Sequence, residues 1–252
     1  MSWKRWIRLG FALIIVAVVI SEYVPRLFIS IPEMPATLAA SLPANCRQVV
    51  LVLSPEARSV PARMWMLDRT TGDDDWSVAV GPIAVTLGRN GLAWGVGEHM
   101  TSPPAGFPIK QEGDGCSPAG IFKIPFAFGY ASADEAKAVR LRYVPVTDTL
   151  AGVDDVNSTF YNQVVDASTV TKDWASNETM LRPDGLYRWG AFIAHNPKGE
   201  AGRGSCIFFH LWSGPGRPTA GCTAMEEKDV LKLLTWLDPT KEPRLVQGLE
   251  SW

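Results

Sequence analysis

The stretch Cys206-Ile-Phe-Phe-His-Leu-Trp-Ser-Gly-Pro-Gly-Arg-Pro-Thr-Ala-Gly-Cys-Thr-Ala-Met225 decides how this chain is read. An apolar, aromatic-rich run, Cys206 to Trp212, reads as a strand carrying a histidine near its end. Turn chemistry follows, dense in Gly and Pro, and closes on Thr219-Ala-Gly-Cys222. A glycine directly before a cysteine lets the backbone bend sharply and presents the thiol. Twelve positions separate His210 from Cys222, enough for a strand end and a loop that returns to it. Imidazole is the base that turns a thiol into a nucleophile near neutral pH. A glycine-containing bend beside the sulfur supplies backbone N–H groups for an oxyanion.

Working outward, the same short strand-like runs recur. Gln48 to Leu53 is one. Met64 to Leu67 and Trp76 to Val80 flank Thr70-Thr-Gly-Asp-Asp-Asp75 and read as a hairpin. The triple Asp lacks the ligand spacing of a calcium loop and reads as a solvated turn. Ile83 to Leu87 and Leu92 to Gly95 flank Gly88-Arg-Asn-Gly91 and predict a second hairpin. Residues 98–119 form a long Gly/Pro/polar stretch that includes His99, expected in a solvated loop. Ile121 to Phe126 and Phe192 to Ala194 read as further strands. Residues 131–139 predict a short helix, and only Glu226 to Leu237 has a sustained helical apolar face. Many short strands, many turns and few helices define a mainly β domain.

Composition narrows the function. The 252 residues are 46% hydrophobic and carry a net charge of −2, so no basic face for nucleic acid is expected. The ten Trp read chiefly as packing residues. Lys4, Arg5 and Arg8 precede the apolar run Gly10 to Ile20, the pattern of a signal peptide or uncleaved signal anchor over residues 1–30. Basic residues on its N-terminal side keep that end cytoplasmic and turn the globular part outward. Residues 31–45, rich in Pro, Ala and Ser, read as a linker to a domain over 46–252. The four cysteines, Cys46, Cys116, Cys206 and Cys222, contain no CxxC pair, so neither thioredoxin chemistry nor a zinc ribbon is supported. In an oxidising compartment Cys116 can pair with Cys206, while a nucleophilic Cys222 stays free. No Walker motif occurs, and Gly202-Arg-Gly204 lacks the third glycine of a dinucleotide loop.

A bare His and Cys are more often structural than catalytic. The local sequence changes that balance, because the strand histidine followed by a Ser/Thr-x-Gly-Cys turn resembles the signature of the L,D-transpeptidase (YkuD-type) catalytic domain. In this chain those positions are His210, Thr219, Gly221 and Cys222. One branch of the family is also resembled in Glu112-Gly-Asp-Gly-Cys-Ser-Pro-Ala-Gly-Ile-Phe122, Val153-Asp-Asp-Val-Asn-Ser158, Tyr161-Asn162, Val165-Asp166, Tyr187-Arg-Trp-Gly190, His195-Asn196 and Gly204-Ser-Cys-Ile-Phe-Phe-His210. Together these span roughly residues 46–249. The combination is specific, whereas each piece alone is weak.

The resemblance implies a β-sandwich of mixed sheets with a few short helices, and a Cys222 thioester formed on peptidoglycan tetrapeptide stems with His210 as base. Gly221, Thr219 and Thr223 are implied around the oxyanion or in orienting the histidine. His195, Trp212, Arg203 and Arg217 are candidates for substrate contact. No metal or organic cofactor is required, and the partners are stem peptides and, through residues 1–30, the membrane. The domain is then expected at the periplasmic face of the inner membrane, or free in the periplasm after cleavage. Better-known members carry Arg or Lys two positions after the cysteine, where this chain has Ala224. The balance between transfer and hydrolysis, as in an L,D-carboxypeptidase, is therefore open. A non-catalytic cell-wall binding module is the reading from another class. A papain-like protease is disfavoured, because there the cysteine precedes its histidine. Asp154 and Asp155 read as a turn or cap, since thiol chemistry does not need them.

Overall fold

The computed structural model describes residues 32–72 and 74–252. In chain order the elements begin with α1 (Ala36–Ala39), β1 (Gln48–Ser54), β2 (Pro61–Asp68), β3 (Ser77–Thr86), β4 (Leu92–Trp94) and β5 (Ser117–Lys123). They continue with β6 (Ala127–Gly129), α2 (Ala133–Ala136), β7 (Tyr143–Pro145), β8 (Leu150–Val153), β9 (Val164–Asp166) and β10 (Asn177–Thr179). The last are β11 (Trp189–Phe192), β12 (Phe208–Leu211), β13 (Thr223–Met225), α3 (Glu227–Trp236) and β14 (Arg244–Leu249). The architecture is mainly β, with mixed sheets and short helices. Eleven strands join in the order β4-β5-β14-β1-β2-β3-β13-β12-β11-β6-β7, and a three-stranded sheet has the order β10-β8-β9.

Strand β1 explains the centre. Its Val and Leu side chains are buried on both faces, as a continuous apolar run demands. It pairs in parallel with β14 and antiparallel with β2. The first expected hairpin forms, with β2 and β3 antiparallel from Pro61 opposite Thr86 to Asp68 opposite Ser77. The runs at 76–80 and 83–87 are halves of this one strand, joined through Gly81-Pro82 opposite a register shift between Met64 and Met66. A bulge is where a sheet tolerates proline. The second expected hairpin does not form. The Leu87 N–H donates to the Val60 carbonyl and the Leu92 N–H to that of Ala57, so the donors around the Gly88–Gly91 turn are spent elsewhere. Strand β4 instead runs parallel to β5.

The segment read as a linker is packed against the domain. Leu38 of α1 is fully buried in the main core, with Met34 and Leu42 against the same cluster, because this Pro/Ala-rich stretch also carries the apolar side chains that anchor it. The predicted helix at 131–139 is the single turn α2, closed by a capping box between Ser132 and Glu135. The long helical pattern is α3, whose Val230, Leu233 and Leu234 are buried and which packs against β11 and β12. The basic and apolar N-terminal run lies outside the described residues. Among the described residues no helix is long and apolar enough to cross a membrane.

All four cysteines are free thiols, so the possible Cys116–Cys206 pairing is not formed. The two sulfurs face different segments: that of Cys116 lies 3.6 Å from the Asn90 carbonyl oxygen and that of Cys206 3.6 Å from the Val153 carbonyl oxygen. Leu51, fully buried on β1, reports on the core. Leu51→Ala is expected to cost about 2–5 kcal/mol, read as a lower urea midpoint with an unchanged denaturant slope.

Candidate active site

Strands β12 and β13 lie side by side and parallel, with Phe209 opposite Thr223 and His210 opposite Ala224. Side chains alternate across a strand, so Phe208 and His210 share a face with Ala224, and the register carried back one residue brings Cys222 beside Phe208. The contacts agree: the Phe208 N–H donates to Cys222 Sγ at 3.4 Å, and the thiol faces the Cys206 carbonyl at 3.7 Å. Cys222 and His210 thus occupy neighbouring positions on one face, one pleat apart along parallel strands. Among the described residues they make no hydrogen bond to each other.

The bend before the cysteine is held by two hydroxyls. Thr219 Oγ1 accepts from the Gly221 N–H at 3.0 Å and donates to the Cys222 carbonyl at 2.7 Å. Ser117 Oγ accepts from the Gly88 N–H and donates to the same carbonyl, both at 2.9 Å. The Thr219 N–H donates to the Leu87 carbonyl and the Arg89 N–H to that of Thr219, both at 3.0 Å. Gly221 has φ 156°, and a Cβ there would stand 3.0 Å from the Cys116 carbonyl oxygen. Its role is therefore clearance and conformation, and its amide is already taken by Thr219. Among the described residues the amides of Ala220 and Cys222 have no hydrogen-bond acceptor.

His210 Nδ1 lies 2.6 Å from the Leu211 carbonyl oxygen. A carbonyl only accepts, so Nδ1 carries the proton and Nε2 keeps its lone pair. The group that orients His210 is this backbone carbonyl, and Thr219 serves the cysteine turn instead. Tyr187 packs edge-on against the imidazole at 5.2 Å between centroids. Burial lowers the His210 pKa to about 4. Burial first, and then the nearby Glu178 carboxylate, push the Cys222 thiol up to about 12. At pH 7 both partners rest neutral.

Two cavities meet at the sulfur. One, about 210 Å³, is lined by His210, Trp212, Arg217, Tyr187 and Glu178 among others. The second, about 190 Å³, is lined by Lys110, Glu112, Asp154, Ser205 and Glu178. Cys222, Ala220 and Glu178 belong to both. A larger cavity of about 1000 Å³, bounded by Arg58, Asn90, Phe107 and Trp252, includes neither Cys222 nor His210.

The structure therefore gathers Cys222, His210, Thr219, Trp212 and Arg217 around one cavity, sets Gly221 on the wall of the other, and leaves Thr223, His195 and Arg203 out. Thr223 is fully buried, with its hydroxyl donating to Gln247 Oε1 at 2.9 Å; it faces away from Cys222 because strand neighbours alternate. His195 is fully buried and lines neither cavity. Its Nδ1 accepts from the Val96 N–H at 3.2 Å and its Nε2 donates to the Arg203 carbonyl at 2.8 Å, so it anchors the loop before β12. Arg203 contributes that carbonyl and borders neither cavity. His99 is half-buried, its Nδ1 accepting from the Ile121 N–H at 3.0 Å, and is an anchor where a solvated residue was expected. Asp155 does sit in a turn, accepting from the Asn157 N–H at 3.0 Å.

Glu178, Arg182 and Tyr187 carry no local motif for this wall. They arrive through the pairing of β10 with β8 and through the segment that follows it, contacts between residues far apart in the chain. Of the three, only Tyr187 falls within a segment that resembles the family. Asn162, in another such segment, plays a structural part. Its Oδ1 accepts the Cys206 N–H at 2.9 Å, and its Nδ2 donates to the carbonyls of His195 and Asn196, both at 2.8 Å. Among the described residues no group of three His, Cys, Asp or Glu side chains is placed to hold a metal.

The structure thus sets a cysteine, behind a Thr-clamped glycine bend, and a buried imidazole on neighbouring parallel strands. A model of the L,D-transpeptidase catalytic domain (YkuD) matches residues 58–246, well over half of the chain. The chain belongs to this family. No curated protein and no solved structure matches it.

Two measurements test the packing around the site. Ser117→Ala removes the acceptor of the buried Gly88 N–H and one of two donors to the Cys222 carbonyl; a loss of about 1–3 kcal/mol is expected in urea unfolding. The second concerns pH. His195 and His210 are both held near 4 by burial, below the ordinary histidine value of about 6.5. The unfolded chain therefore takes up protons first. The stability tied to these neutral rings is present above about pH 6.5 and is lost as pH falls towards about 4, on the order of 3 kcal/mol each. Unfolding free energies at pH 7 and pH 4.5 should differ in that sense, and His195→Gln should flatten the slope.

Proposed function

We propose that this protein is a peptidoglycan L,D-transpeptidase that acts through a thioester on Cys222. The observation that carries the reading is the family's catalytic cysteine position, here a free thiol sharing a face and a cavity wall with an imidazole whose Nε2 lone pair is uncommitted. The donor is a tetrapeptide stem ending in D-Ala after a diamino acid such as meso-diaminopimelate. Sγ attacks the carbonyl carbon of the bond to D-Ala, and the thiol proton passes to His210 Nε2. The amides of Ala220 and Cys222 are the donors available to the oxyanion. Collapse of the tetrahedral adduct breaks the C–N bond. D-Ala leaves with the proton from His210, and a thioester remains. The amine of a second stem then attacks, gives a proton to His210, and expels the sulfur, which recovers that proton. The product is a cross-link between diamino acids, or a hydrolysed stem if water attacks.

Burial shapes how the first step proceeds. A thiol near 12 beside an imidazole near 4 does not hold a resident thiolate–imidazolium pair at pH 7. The proton leaves as the sulfur–carbon bond forms, so the histidine acts as a general base within that step. On this reading the Cys222 side chain turns away from the Cys206 carbonyl towards the imidazole when substrate arrives, a tightening common in such sites. Ala224 lines the cavity where better-known members carry a cation, and Arg217 is the cation this chain offers there. A peptidoglycan substrate requires the domain to face the periplasm, with residues 1–30 as leader or anchor.

The bonding of the resting thiol to Phe208 and Cys206, with none to His210, favours one second reading: a stem-peptide binding module without chemistry. Incubation with a tetrapeptide stem separates the two. The native protein should release D-Ala and show a transient thioester by intact mass. Cys222→Ser and His210→Ala should each lower release by about 10³-fold or more with the fold retained by circular dichroism. Undiminished release by Cys222→Ala would overturn the proposal.

A further inference from the structure

Strand β10 delivers Glu178 to the seam between the two cavities that meet at Cys222. Both cavities therefore carry this carboxyl on their walls. The other acidic groups on the walls, and two of the cations, are already engaged. Glu112 accepts from the Tyr161 hydroxyl and from Ser205 Oγ, the latter at 2.7 Å. Asp154 accepts from Ser176 Oγ at 2.6 Å. Lys110 is paired with Asp114 at 2.7 Å, and Arg182 grips Asp184 with two bonds, at 3.0 and 2.5 Å. Glu178 has one long contact, from the Tyr187 hydroxyl at 3.5 Å, and no ion pair among the described residues.

A half-buried carboxyl calls for donors or a cation, and one hydroxyl at the limit of hydrogen-bond distance supplies little. We propose that Glu178 is the receptor for a substrate ammonium and thereby selects a diamino acid next to the bond that Cys222 attacks. The proposal rests on the thioester reading of the site. An ammonium brings three donors to a carboxylate from a compact head. Cavities of about 210 and 190 Å³ suit an aminoalkyl side chain. Arg217, on the wall of the first cavity, also forms no ion pair among the described residues. That cavity therefore offers one anion and one cation, the complement of the adjacent ammonium and carboxylate at the far end of a diamino diacid.

The placement links recognition to reactivity. The Glu178 charge is, after burial, the main influence that holds the Cys222 proton in place. An ammonium seated on Glu178 cancels that charge, so the cationic substrate eases the sulfur's ionisation while an uncharged analogue leaves it suppressed.

The test measures protection without turnover. Full-length protein is alkylated with iodoacetamide, and modification of the Cys222 peptide is followed by mass spectrometry. Protection is titrated with L-Ala-γ-D-Glu-meso-diaminopimelate and with the same tripeptide acetylated on its side-chain amine. Each variant's own unprotected rate is the reference. The native protein should bind the free-amine peptide about tenfold or more tightly. In Glu178→Gln the two peptides should protect within about twofold of each other, and Glu178→Asp should keep part of the preference. A tenfold preference that survives Glu178→Gln overturns the proposal, as does a native protein that shows no preference or no protection. If Glu178→Gln does not fold, Glu178→Ala takes its place with the same two outcomes. Preferential protection by the tripeptide, together with no release of D-Ala from the tetrapeptide stem, would remove the thioester reading and leave Glu178 as an ammonium receptor.

Discussion

Two hydroxyls, those of Thr219 and Ser117, converge on the carbonyl of Cys222, and the position of the sulfur follows from that convergence. Ser117 begins β5 and Thr219 ends the glycine-rich loop, so the bond pattern ties the large sheet's far side to the cysteine turn. The same clamp explains why glycine precedes the cysteine: a side chain at Gly221 would meet the Cys116 carbonyl, and a φ of 156° already disfavours one. The parallel pairing of β12 with β13 then sets the histidine on the same face. Neither residue is held by the other. Cys222 is fixed by the two hydroxyls on its carbonyl and by the Phe208 N–H, and His210 by the Leu211 carbonyl.

That arrangement has an electrostatic counterpart. Burial favours the uncharged form of both members of the pair, in opposite directions on the pH scale. The resting site is thereby protected from acid–base chemistry that lacks a substrate. A thiol kept neutral is also a poor target for oxidants and stray electrophiles. The charges that remain at the site belong to its walls, chiefly Glu178 and Arg217.

Much of this is legible in the chain, for identifiable reasons. The β1 run and the β2–β3 hairpin announce themselves because burial on both faces needs unbroken Val and Leu, and because a turn needs Gly and Asp. The His210–Cys222 segment is readable because strand, bend and second strand are contiguous. The second hairpin fails because Gly88–Gly91 is a turn whose flanking donors bond to Val60 and Ala57, partners that no local pattern reveals. Strand β14 has no expectation to match it, although six of its residues pair with β1 and four with β5. His195 illustrates another limit: a histidine in a loop beside the site invites a substrate role, yet its two ring nitrogens are both committed to backbone groups. Glu178 lies beyond local reading altogether, since its place beside Cys222 comes from strand pairing across distant residues.

The small sheet of β8, β9 and β10 is bonded within itself and is separate from the large sheet that carries the nucleophile. On the proposed reading, reactivity and selectivity are thus vested in different pieces of architecture. Sequence drift in the small sheet can change what is admitted beside the sulfur while every bond that seats the sulfur is left alone. For an engineer this marks β10 as the strand on which to graft new tastes, and the Thr219–Ser117 clamp as the part to leave untouched.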